Sequence, residues 1–142
     1  MMVVMTALAI FFRALHILSA ITLLGGAIAW RMAVVRAEAP LALETQKKFD
    51  ASVASAWRPW ALAAIAGLLA SGIYNFLNKT GLTTAYHAIF GVKVLLALDI
   101  FAAVILATRP DNARRARKLL RVTISGAAIV ILSAVLRAIT AK

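Results

Sequence analysis

Four segments of this chain, about 7–30, 57–77, 85–108 and 119–139, are predominantly apolar over the roughly 20 residues that a helix needs to cross ~30 Å of hydrocarbon. A chain with four such runs has few folds open to it. In lipid every backbone polar group must be satisfied by the spanning structure itself, and a helix does this segment by segment. The connections are short, which returns consecutive helices antiparallel. The sequence therefore predicts an all-α protein: an up-down-up-down, four-helix transmembrane bundle forming a single integral membrane domain over residues 1–142. Composition agrees, since 63% of the residues are hydrophobic against about 45–50% in soluble domains. The first apolar run has no basic stretch ahead of it and is too long for a signal peptide, so it reads as a retained span.

The formal charge is +11, which in a soluble chain would suggest nucleic acid. Here the basic residues fall between the spans and orient the bundle instead. The first connection carries Arg31, Arg36, Lys47, Lys48 and Arg58. The third carries Arg109, Arg114, Arg115, Arg117, Lys118 and Arg121, and the second only Lys79. The positive-inside rule predicts that connections one and three face the cytoplasm and both termini face outward, in a bacterial-type inner (plasma) membrane. The partner this implies is the lipid bilayer, with no role for nucleic acid. Trp30, Trp57 and Trp60 fall where interfacial tryptophans belong, and Pro59 falls in the expected first turn of the second helix. An amphipathic stretch over 41–56 is expected to extend that helix beyond the membrane.

Lys93 has no cheap place in the third span, where a lysine costs about 3 kcal/mol at mid-membrane on translocon-type scales. It is not alone. Counted at 1.5 Å per residue from the inner anchors, His16 lies ~21 Å up, Arg13 ~26 Å, Tyr74 and Asn75 ~23 Å, and Lys93 and Arg137 ~24 Å. All four helices thus bring polar groups to the outer third of the membrane. Asp99 lies lower, at ~15 Å. The six outer residues together describe a cationic, hydrogen-bonding pocket, which an anionic or strongly polar ligand would balance. Haem propionates, a porphyrin or a quinone headgroup each have that chemistry.

Simpler readings stand beside this one. Arg13, Arg137 and Lys93 could snorkel to the headgroups. His16 could be a neutral histidine bonded within the bundle. Asp99 could be protonated and bonded to a neighbouring hydroxyl such as Thr22 or Thr123. Tyr74 and Asn75 could close a helix end.

As a metal ligand, His16 is the one candidate inside the bundle. His87 lies at ~33 Å, too far from its level for paired axial ligation of one haem, and reads as an interfacial residue. Copper is poorly served: Cu(I) prefers Cys or Met, the chain has no cysteine, and its methionines are Met1, Met2, Met5 and Met32.

The first span, LHILSAITLLGG, resembles the "LH…WxGG" opening of small four-helix CopD-like membrane proteins. RPWALAAIAGLLASGIYNF resembles their second helix and YHAIFGVKVLLALDIFAAVILATR their "xxKxLLxL" third. A histidine in the first helix paired with a lysine in the third is similar to the HemJ-type protoporphyrinogen oxidases. That resemblance implies haem b as cofactor, His16 as haem ligand or redox residue, and Lys93 as the residue that binds substrate or propionate. It also implies removal of hydrogens from a porphyrinogen, with electrons passing through haem towards quinone. Two departures stand out: Leu24, not tryptophan, precedes Gly25–Gly26, and AWRMAVVRAE replaces the aromatic/Pro/Arg run and histidine at the end of the first helix. The non-enzymatic alternative is a small accessory subunit of a larger membrane complex or homo-oligomer, with Gly25, Gly26, Gly67 and Gly72 permitting close helix contact. Copper transport is the remaining alternative.

Overall fold

In the computed structural model the described residues are 2–37, 42–78, 83–109 and 114–140, and nearly all of them are helical. The helices are α1 (Met2–Ala37), α2 (Leu43–Leu77), α3 (Thr84–Ala107) and α4 (Arg115–Thr140). Each is long and apolar enough to cross a membrane, so the chain is a multi-pass membrane protein built as a four-helix bundle. Lys79 and Met1 lie outside the described residues, as do the side chains of Met2 and Met5.

The helices outrun the apolar segments at the basic end. The 35 residues of α2 run to about 52 Å at 1.5 Å per residue, well beyond the hydrocarbon thickness, and its first turns carry the amphipathic stretch. Most residues assigned to basic connections therefore sit on helix ends: Arg31 and Arg36 on α1, Lys47, Lys48 and Arg58 on α2, and Arg115 to Arg121 on α4. Pro59 is likewise not in a first turn. It lies inside α2, where its missing N–H leaves the carbonyl of Ser55 without an intrahelical donor. At the start of α3, Thr83 caps the helix, its hydroxyl accepting from the Tyr86 backbone N–H at 3.2 Å.

Going round the bundle, α1 packs tightly on α2 and α3 on α4; α1 also packs on α4, and α2 and α3 touch least. The α1–α2 seam shows how the close packing arises. Phe12, His16, Ser19, Gly26 and Trp30 recur on α1 at steps of three, four and seven, the spacing of one helix face in an antiparallel pair. Phe12 stacks on Tyr74 with ring centroids 4.0 Å apart. The Ser19 hydroxyl fills the space where a side chain on Gly67 would begin, and the Trp57 indole does the same at Gly26. Two of the four glycines noted above are therefore used inside the bundle, whereas Gly25 and Gly72 face no atom within 4 Å.

The packed core fills only the basic half. Leu23, Ala27 and Trp30 of α1 meet Ala61 and Ala64 of α2, Val104 and Ala107 of α3, and Leu119 and Val122 of α4. Trp30 is 3% exposed and meets Trp57 edge-to-face at 5.4 Å, so these two tryptophans are core residues; Trp60, at 68%, is the one that faces outward.

At the basic end of this core Arg115 ties all four helices together. Its Nε donates to Ala107 O at 3.0 Å and its Nη2 to Arg109 O at 2.8 Å, satisfying carbonyls at the end of α3. Its Nη1 pairs with Asp50 of α2 at 3.2 Å, and its guanidinium lies 5.1 Å from the Trp30 ring centroid on α1.

Candidate functional site

With the core confined to the basic half, the other half of the bundle encloses a cavity of about 1030 Å³. That is at the upper end of the ~300–1,000 Å³ common for small-molecule sites, large enough for an extended or macrocyclic ligand. Arg13 and His16 from α1, Tyr74 and Asn75 from α2, Lys93 from α3 and Arg137 from α4 all line it. The depth count thus placed on one level six residues that the folded chain brings to one space. Arg13 and Arg137 are exposed at its rim, while His16, Tyr74, Asn75 and Lys93 are half-buried. No Asp or Glu among the described residues lines the cavity. Its polar wall is therefore cationic, and the rest is apolar.

His16 is held by a residue that the sequence reading did not select. Its Nδ1 lies 2.8 Å from the Ser71 hydroxyl on α2. Ser71 is fully buried, and its hydroxyl donates to Gly67 O one turn earlier at 2.6 Å. A hydroxyl has a single proton. When that proton is on Gly67 O, Ser71 accepts from the imidazole Nδ1–H, the tautomer that leaves the Nε2 lone pair open. Among the described residues Nε2 has no hydrogen-bond partner. A ring fixed through one nitrogen, with the other open beside a cavity, is the arrangement that metal-ligating histidines use. Lys93 lies close enough to interact electrostatically with this ring, across the diagonal of the bundle.

Aromatic side chains crowd the far end. Tyr74 stacks on Phe12, and Phe76 of α2 stacks on Phe90 of α3 with centroids 4.8 Å apart. Phe90 also stacks on Tyr86, which is 3% exposed.

Asp99 and His87 fall outside the cavity. His87 is exposed in the first turn of α3, edge-on to Tyr86. Asp99 does not bond to Thr22 or Thr123. It receives both Nε (2.9 Å) and Nη2 of Arg121 on α4, with the Ser125 hydroxyl at 3.5 Å. This two-pronged arginine contact stands where a threonine partner was expected. A separate hollow of about 420 Å³, lined by Arg58, Pro59 and Thr108 at the basic end, contains none of the selected residues.

Three side-chain sets bear on metal chemistry. No group of three His, Cys, Asp or Glu residues with metal-site geometry occurs among the described residues, so a metal caged by protein ligands alone has no built site there. Met32 is half exposed on the basic half of α1, away from His16. His16 is the one histidine among the described residues that lines the cavity.

No protein family, curated protein or solved structure matches this chain.

Proposed function

We propose that this chain is a CopD/HemJ-like membrane protein that binds haem b, or a related anionic or polar ligand such as a porphyrin or quinone, in the far half of the bundle. The observation that carries this reading is the junction of the Ser71-held His16 with Lys93, Arg13 and Arg137 around one cavity that no Asp or Glu among the described residues lines. In this reading His16 offers Nε2 to the iron, and Lys93 with the two rim arginines balances carboxylates on the ligand. Tyr74 and Asn75 supply hydrogen bonds, and the apolar remainder of the wall keeps water away from the bound group. Haem, when bound, supplies one-electron chemistry. Porphyrinogen oxidation, with electrons delivered to quinone, is the reaction that the resemblance attaches to such a site, with His16 and Lys93 as its catalytic residues. The same reading puts the basic end in the cytoplasm and the cavity towards the outer face of an inner membrane.

The test is the visible absorption spectrum of the protein purified from a haem-replete membrane. A Soret band that disappears in His16→Ala is expected. A colourless wild-type protein that takes up no haemin on reconstitution would sink the haem reading.

One observation favours a second reading, that of an accessory subunit. The Asp99–Arg121 pair lies on the outside of the bundle, with the Arg121 side chain 66% exposed. A guanidinium on the wall of a membrane bundle is better placed against protein than against lipid. Loss of co-purifying partners in Arg121→Leu, with the haem spectrum unchanged, would be its signature.

A further inference from the structure

The ways into the cavity are unequal. From the basic end the path is blocked by the packed core, where Trp30, Trp57 and Arg115 meet above Ala61, Ala64, Val104 and Ala107. Towards the far end stand the Phe12–Tyr74 and Phe76–Phe90 stacks. The side between α2 and α3 is different. These are the least closely packed neighbours in the bundle. Leu69 and Ile73 on α2, with Val94 and Leu98 on α3, line the cavity and are also exposed, Ile73 by 59% and Leu98 by 52%. Gly72, on the same stretch of α2, also lines the cavity and has no atom within 4 Å of where a side chain would begin. The wall there is an apolar seam, narrowed at the top by the Phe76–Phe90 stack. Arg13, Lys93 and Arg137 line the same cavity.

We propose that the seam between α2 and α3, beneath the Phe76–Phe90 stack, is the entrance to the cavity, and that it admits an acidic amphiphile from the bilayer. The chemistry is set by what each part of the route offers. An apolar body partitions into lipid and passes between leucine, isoleucine and valine side chains without losing hydrogen bonds. An acidic group meets a cavity wall with cations and, among the described residues, no Asp or Glu. A small hydrophilic anion lacks the first property, and a neutral lipid lacks the second. This inference rests on the reading that the cavity binds an anionic ligand, and it adds the route and the ligand class.

The chain has no cysteine, so a pair introduced as Ile73→Cys and Val94→Cys, with the Phe76–Phe90 stack left in place, can be bridged specifically by a dithiol-reactive linker across the seam. The probe is protoporphyrin IX dissolved in phosphatidylcholine vesicles holding the purified protein, with uptake followed by its fluorescence anisotropy. The bridged protein is expected to load at least about tenfold more slowly than the same protein unbridged, and to retain probe loaded before bridging. A Leu69→Trp, Leu98→Trp double variant, which fills the seam without chemistry, is expected to load slowly as well. Oleate should compete for the site, and methyl oleate and aqueous citrate should not.

Loading that is equally fast with the seam bridged and with it filled overturns the route. Competition by methyl oleate as strong as by oleate overturns the acidic ligand class. Failure of the wild-type protein to take up any probe overturns the underlying reading, whereas uptake that neither bridging nor filling slows overturns the route alone.

Discussion

Replacing Arg115 with methionine is expected to destabilise the bundle more than any change at the cavity. The substitution keeps most of the side-chain volume and removes the charge. Asp50 then loses its ion-pair partner while its side chain is only 17% exposed, and its Oδ1 already has no hydrogen-bond partner among the described residues. The carbonyls of Ala107 and Arg109 lose a donor each. Removing one partner of a buried ion pair typically costs 3–5 kcal/mol, and the partial exposure of Asp50 places this case near the lower end, about 3 kcal/mol. Asp50→Asn leaves Arg115 with both carbonyls and should cost about 1–2 kcal/mol. Combining Asp50→Leu with Arg115→Met removes both charges and should recover part of the loss, so the double-mutant cycle should show about 1–2 kcal/mol of coupling. Equilibrium unfolding in dodecyl sulfate mixed micelles, followed by circular dichroism and tryptophan fluorescence, gives these values, with Trp30 as a reporter directly beneath the substituted residue. An Arg115→Met protein within about 1 kcal/mol of wild type, or strict additivity in the cycle, would refute the four-helix staple.

Other consequences follow from single contacts. Gly26→Ala puts a methyl group onto the Trp57 indole, with Cε2 at 2.7 Å, and should cost about 1–3 kcal/mol; Gly126→Ala meets only the flexible end of Leu24, at 2.5 Å, and should cost less. The same micelle assay orders the two, and the reverse order would contradict the packing described. Thr83→Ala removes the cap of α3 and should lower stability by about 1 kcal/mol, with amide exchange accelerating first at Tyr86. Ser71→Ala leaves the fold intact but frees the His16 ring, so haemin titration should show about 10–100-fold weaker binding; unchanged affinity would mean that the hydroxyl does not orient the ring.

The number of helices could be read from apolar run length, because the bilayer admits few alternatives, but not their extent, since α1 and α2 run on past the apolar segments. Constant helical rise puts Arg13, His16, Tyr74, Asn75, Lys93 and Arg137 at one level along the helices, and all six line one cavity. Rotation about the helix axis was much harder to read. Trp30 looks interfacial by depth but faces inward, against Trp57. Asp99 was expected ~15 Å above the basic connection that holds Arg121, but the α3–α4 register sets Ser125 beside Asp99 and Arg121 only one turn away. Ser71 is one small residue among many in a helix, and only the α1–α2 register shows that it meets His16. Arg115 looked like one more cytoplasmic charge because its partners, the last carbonyls of α3 and Asp50 near the start of α2, are set by how helix ends meet. The loose α2–α3 contact has no signature in composition at all.

The central claim is that the far half of the bundle binds an anionic ligand through His16 and Lys93, and titration of haemin into the purified protein tests it most directly. Wild type should bind one equivalent with a shifted Soret band. His16→Ala should lose the shift, and Lys93→Met should bind about tenfold or more weakly, the loss of one charge-assisted contact. Haemin binding that is identical in wild type, His16→Ala and Lys93→Met would contradict the account.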